Sequence, residues 1–201
     1  MERFIFGTHN SHKLKEIREL AGDAFGFFSL DDIGFHEEVP ETAETLAGNA
    51  LQKARYIHER TGDNCFADDT GLEIDFLGGR PGVYSARYAG PGHDHEKNIQ
   101  KVLHEMGDTD DRSARFRTVI ALILRGEEYL FEGKVEGVIL KDKRGSEGFG
   151  YDPIFMPDGY NRSFAQMSLD EKNRISHRGR ATRRLIKFLE EWKSKNDDAS
   201  I

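Results

Sequence analysis

Short apolar runs alternate with helically spaced apolar positions through the first half of this chain, and paired β-type runs dominate the second half. Residues 3–7 read as a strand, and Leu14, Ile17, Leu20 and Ala21 follow at the spacing of one helix face. Leu46, Ala47, Ala50, Leu51, Ala54 and Ile57 predict a second helix over 44–58. Strands are expected at 64–68 and 72–77. In the latter, Leu72, Ile74 and Phe76 alternate with Glu73 and Asp75, as burial of one face requires. Ile99, Val102, Leu103 and Met106 predict a helix over 96–106. Residues 115–124, 128–132 and 134–140 are β-rich and joined by short glycine-containing turns, the pattern of an antiparallel meander. A last helix over 176–192 buries Ala181, Leu185, Phe188, Leu189 and Trp192, and the polar tail 194–201 is expected to fray.

This order of elements predicts an α/β or mixed α+β fold, with helices flanking a central mixed sheet. Residues 78–82 are too short for a linker and read as a shaped turn. Residues 1–193 therefore form one domain, read here as two-lobed. The net charge is −7 with no long basic block, which argues against a general nucleic-acid or membrane-surface binder. The single cysteine, Cys65, excludes an intrachain disulfide and reads as a small buried residue. No apolar stretch approaches membrane-spanning length, and a cytoplasmic enzyme is expected.

An acidic protein that handles phosphates must gather its cations locally and use a metal. Asp68-Asp69, placed where one apolar stretch closes and another opens, is the strongest candidate, because Mg²⁺ prefers oxygen ligands and arrives with phosphates. Asp-rich turns are also commonly just solvated or capping. Thr8-His9-Asn10-Ser11-His12-Lys13 lies between strand and helix, where backbone N–H groups and the helix dipole attract anions; an ordinary N-cap with an exposed lysine fits it too. Glu41 precedes the second helix, either as a dipole partner or as a further carboxylate for a shared metal. Phe149-Gly150-Tyr151-Asp152 is an aromatic loop suited either to stacking on a base or to anchoring a core. Ser168 to Lys172 reads as a capping box, and Lys172, His177 and Arg178 supply donors for phosphate or a base edge.

Together these segments resemble the inosine/xanthosine triphosphate pyrophosphatase family. The resemblance runs in order from Phe4 to about Leu189. It rests on Thr8-x-Asn10-x-x-Lys13, Glu41-Thr42 with Asn49-Ala50-x-x-Lys53-Ala54, and Ala67 to Leu72. It continues through Leu77 to Tyr88, Gly148 to Pro153, and Glu171-Lys172-Asn173-x-Ile175-Ser176-His177-Arg178. The resemblance implies two lobes around a substrate cleft, a homodimer, and Mg²⁺-dependent hydrolysis of ITP, dITP and XTP to monophosphate and pyrophosphate. It implies that Asp69 is catalytic base and metal ligand, with Glu41 and Asp68 as further metal ligands. Thr8 to Lys13 would hold the triphosphate, Thr70 would touch substrate, and Phe149 to Asp152, Lys172, His177 and Arg178 would surround the nucleoside. Gly48 and His9 depart from the usual pattern at positions without a direct catalytic role.

Overall fold

A computed structural model of the protein describes residues 2–9 and 11–198; Met1, Asn10 and residues 199–201 are outside the described residues, as are the side chains of Ser11, His12, Glu16, Asp197 and Asp198. Among the described residues, seven strands form one mixed sheet: β1 (Arg3–Phe6), β2 (Gly26–Ser29), β3 (Cys65–Ile74), β4 (Pro81–Gly82), β5 (Ser113–Leu124), β6 (Glu127–Ile139) and β7 (Phe155–Pro157). The strand order is β2-β1-β3-β5-β6-β7, with β4 paired to β3. Strand β1 runs parallel to both β2 and β3. Parallel neighbours require long crossovers, and helices α1 (Ser11–Ala21) and α2 (Leu46–Thr61) supply them. Helices α3 (His95–Met106), α4 (Leu169–Ile175) and α5 (His177–Asp198) complete the fold.

The chain divides into two compact units. The first comprises Met1–Asp69, Val119–Glu132 and Ala181–Ile201; the second comprises Thr70–Thr118 and Gly133–Arg180. The first core is built on β1 and its neighbours: Phe6 stacks on Phe66 at 4.5 Å between ring centres, and Phe4 meets Phe25 edge-on at 5.9 Å. Leu14 and Ile17 of α1, Ile120 and Leu122 of β5, and Leu185 and Leu189 of α5 close it. Each such side chain, fully buried, contributes about 1.5–3 kcal/mol. The second core gathers Leu72, Ile74, Val102, Met106, Phe116, Tyr151, Phe155 and Phe164.

Several expectations from the sequence are corrected. The strands expected at 64–68 and 72–77 are one strand, β3, so the acidic pair sits mid-strand rather than at a turn. Phe76, expected on its buried face, lies beyond the strand end and is exposed, as is Leu20 of α1. The runs 128–132 and 134–140 likewise merge into β6, because Gly133 continues the extended backbone. The turn into β6 is Arg125-Gly126, both at positive φ (52° and 85°), the two-residue geometry that matches strand twist. The last helix does start where expected, at His177, with the Ser176 hydroxyl accepting from Gly179 N–H. Helix α5 extends through Asp198, past the expected fraying point at 194.

Candidate active site

Helix α2 places two polar side chains on its buried stripe. Thr45 caps it by accepting from Gly48 N–H at 3.0 Å, which fixes the register in which Asn49 and Lys53 join Leu46, Ala50, Ala54 and Ile57 on the inner face. Asn49 Nδ2 donates to Asp69 at 3.1 Å, while its Oδ1 accepts from Ala43 N–H. Lys53 Nζ lies 2.5 Å from Glu41 and 3.7 Å from Asp69. Adjacent strand residues point to opposite sides, so Asp68 needs another partner. Lys13, from the first turn of α1, donates to both Asp68 oxygens at 2.8 and 2.9 Å.

These three carboxylates and two ammonium groups belong to the first unit. Burial pushes the Asp69 carboxyl above its ordinary range; Lys53 and Asn49 counter this, while Glu41 and Asp68 reinforce it. Burial alone would lower Lys53, but attraction to Asp69, Asp68 and Glu41 outweighs it and holds the ammonium charged. Lys13, Lys53, Glu41, Asp68 and Thr8 line a cavity of about 410 Å³ together with Glu37 and Glu38. A larger hollow of about 570 Å³ flanks α1 and β2, but its polar groups are paired with one another, His9 with Asp31 at 2.7 Å and Arg18 with Asp32 at 3.2 Å. Both hollows carry paired charges; the smaller is the one lined by buried charged groups, Asp68 and Lys53.

The second unit holds the aromatic loop. Asp152, buried, accepts from Phe149 N–H at 2.9 Å and from Lys172 Nζ at 2.5 Å. Gly148 has φ +77°, and a Cβ there would strike the Asp152 carboxylate, so glycine is required. Gly150 follows at φ 61°. Phe149 projects half exposed (50%), with the Lys172 ammonium 4.9 Å and the Arg178 guanidinium 5.6 Å from its ring centre.

The structure thus brings Lys13, Glu41, Asp68 and Asp69 together in one unit, and Phe149, Asp152, Lys172 and Arg178 in the other. Thr8 is buried at the cavity wall, its carbonyl accepting from Leu30 N–H. His9 lines the cavity but is held by Asp31. Asn10 and the side chains of Ser11 and His12 lie outside the described residues. Thr70 shares a 2.7 Å hydrogen bond with Thr118. Tyr151 is a core anchor, donating to Ser85 O at 2.8 Å. The His177 ring is buried and stacks on Phe116 at 4.7 Å and 17°. Sequence reasoning assigned no role to Asn49 and Lys53. Their signal was two polar residues four apart on an otherwise apolar helix face.

Among the described residues, no group of three or more His, Cys, Asp or Glu is clustered closely enough to hold a metal ion. The donor chemistry nevertheless suits Mg²⁺. Glu41, Asp68 and Asp69 are hard oxygen donors and outnumber the two lysines beside them. The upward shift at Asp69 comes chiefly from burial, which Lys53 and Asn49 only partly offset.

A family model described as the Ham1 family matches residues 4–188. The chain belongs to the Ham1 family. Similar proteins include one named dITP/XTP pyrophosphatase from Flavobacterium psychrophilum, 50% identical over 187 residues that cover 93% of this chain and 98% of that one. A Bacillus subtilis protein of the same name is 47% identical over 94% of this chain and 98% of its own length. The structure of a HAM1 protein from Coxiella burnetii is similar with TM-score 0.90 and 40% identity, over 95% of this chain and 100% of that one. In this Ham1 protein no helix among the described residues is long and apolar enough to cross a membrane.

Proposed function

We propose that this Ham1 protein hydrolyses dITP, ITP and XTP to the nucleoside monophosphate and pyrophosphate, with Asp69 as the base. It is a nucleoside triphosphate pyrophosphatase, like the relatives that carry that name. The observation that carries the mechanistic reading is the pairing of Lys13 with Asp68 and of Lys53 with Glu41 and Asp69; all of these except Asp69, which sits behind Lys53, line the charged cavity. Such a set gathers cations for anionic phosphates beside a carboxylate whose ionisation burial opposes.

Lys13 and the N-terminal turn of α1 take the triphosphate, where full and partial positive charges coincide. Asp69, oriented by Asn49 and Lys53, takes the proton of the attacking water. Glu41, Asp68 and Asp69 are the residues that would hold Mg²⁺, which would supply the neutralising charge that phosphoryl transfer demands. Phe149, half exposed, offers a purine a face to stack on. Arg178, a guanidinium that can only donate, suits the oxygen that inosine and xanthosine carry at C6, where adenosine carries an amino group. An unmatched buried polar group costs about 1–3 kcal/mol, so one such contact disfavours ATP roughly tenfold. We further propose a homodimer working in the cytoplasm on the free nucleotide pool.

Pyrophosphate release from ITP, XTP, ATP, GTP and TTP, with Mg²⁺ and then with EDTA, tests the reading. Rapid turnover of ITP and XTP, little of ATP and TTP, and loss of activity with EDTA are expected; GTP shares the C6 oxygen, so its turnover reports whether a further contact near C2 rejects the exocyclic amine. Comparable turnover of TTP would point to a pyrophosphatase of different base preference, and tight ITP binding without turnover to a nucleotide sensor.

A further inference from the structure

The half-exposed Phe149 ring has a neighbour that no motif of the chain includes. His95, also exposed, opens α3 with its imidazole centre 6.5 Å from that of Phe149, the two planes 47° apart. Aromatic planes in stacked nucleic acid lie about 3.4 Å apart, so a base held between two rings asks for about 7 Å between them. The observed 6.5 Å is a centre-to-centre distance between tilted rings, within the ordinary range of aromatic contacts and like the 6.4 Å and 38° of the Phe164–His177 pair. That pair is buried, whereas His95 and Phe149 are both exposed, which lets their rings part around a base.

Both rings hang from one anchor. The Ser85 carbonyl accepts from Tyr151 O–H at 2.8 Å, two residues after Phe149, and from Asn98 Nδ2 at 3.4 Å, three residues after His95. Asn98 is buried, and its Oδ1 accepts from Ala89 N–H at 2.7 Å. Asp94 caps α3 by accepting from Lys97 N–H, and Lys143 Nζ reaches Glu96 at 2.7 Å, tying the start of α3 to the segment that leads into the aromatic loop. The backbone beneath the pair is therefore held in place while the rings themselves remain exposed. Such preorganisation lowers the ordering cost of binding.

We propose that His95 is the second wall of the purine slot, its imidazole lying on the face of the base turned away from Phe149. This rests on the functional reading above and adds a residue to it. The imidazole touches the base, not the phosphates, so it contributes to binding rather than to the chemical step. Levelling the tilt between the rings needs only side-chain rotation at an exposed position.

His95→Ala and His95→Phe, assayed with ITP and XTP, test the proposal, together with the affinity of each variant for inosine monophosphate and the inhibition constant of inorganic tripolyphosphate. His95→Ala is expected to raise KM and weaken inosine monophosphate binding about fivefold or more, the low end of one base–ring stack. The expected kcat stays within twofold of the parent, tripolyphosphate inhibition is unchanged, and His95→Phe restores KM. Unchanged inosine monophosphate affinity in His95→Ala overturns the proposal, as does an equal loss of tripolyphosphate affinity. A parent protein that releases no pyrophosphate from ITP would overturn the functional reading instead, and inosine monophosphate affinity would still decide the role of His95.

Discussion

Asp69 carries a cost that its function explains. Its folded pKa is raised from 3.8, chiefly by burial, so the ionised form is disfavoured in the metal-free protein. By linkage, a carboxyl with a raised folded pKa contributes stability below its unfolded pKa and loses it as pH rises through the folded value. Asp69→Asn is therefore expected to abolish turnover, by about 10²–10⁴-fold if it removes the base, yet to melt no lower than the parent at pH 7. Its stability relative to the parent should grow as pH rises from 3.8 through the raised value and level off above it; thermal melts across that range would show this. Lys53→Met should behave in the opposite sense. It leaves Glu41 and Asp69 facing each other with one cation fewer, and removing one partner of a buried pair costs about 3–5 kcal/mol. Lys13, Asp68, Asp69 and Glu41 were legible from residue type and order. Asn49 and Lys53 had no assigned role because a polar residue on an apolar helix stripe carries no label of its partner.

Element boundaries were read less well than element types. The two predicted pieces of β3 were split at Asp68-Asp69 because charges usually end strands, yet here each carboxylate is met by a lysine from a different helix and the strand continues. The polarity that hid the strand is the feature that makes the site. Gly133 misled in the same way inside β6. By contrast, the capping box at Ser168–Glu171 was read correctly, because its chemistry is local. The turn expected over 78–82 holds for Gly78 and Gly79, but Pro81 and Gly82 pair with β3 as β4. The aromatic loop offers a test at this scale. Gly148→Ala forces a side chain into positive φ and onto the Asp152 carboxylate. It should cost more than about 1 kcal/mol and raise KM for ITP, because the Phe149 N–H loses its acceptor; a chemical melt and steady-state kinetics read the two effects.

At the scale of the whole molecule, the fold class followed from the alternation of elements, but the division of the chain did not. Each unit is assembled from separate stretches, and the chain passes from one to the other within β3, β5, β6 and α5. No window of local composition reveals such a division. One consequence is that truncation after Arg180 should unfold the first unit, since it removes Ala181, Leu185, Ile186 and Leu189 from that core. Loss of hydrogen-exchange protection in β1 and α1 would report it. The lysines that rest on the acids of the first unit have a last implication. A protein that shields its own acids with its own ammonium groups offers little to a free divalent ion, and becomes a good host only when an incoming polyphosphate draws those lysines away. Calorimetry should accordingly find weak Mg²⁺ uptake by the protein alone and much tighter uptake once pyrophosphate is present, so that nucleotide and cation arrive as a pair.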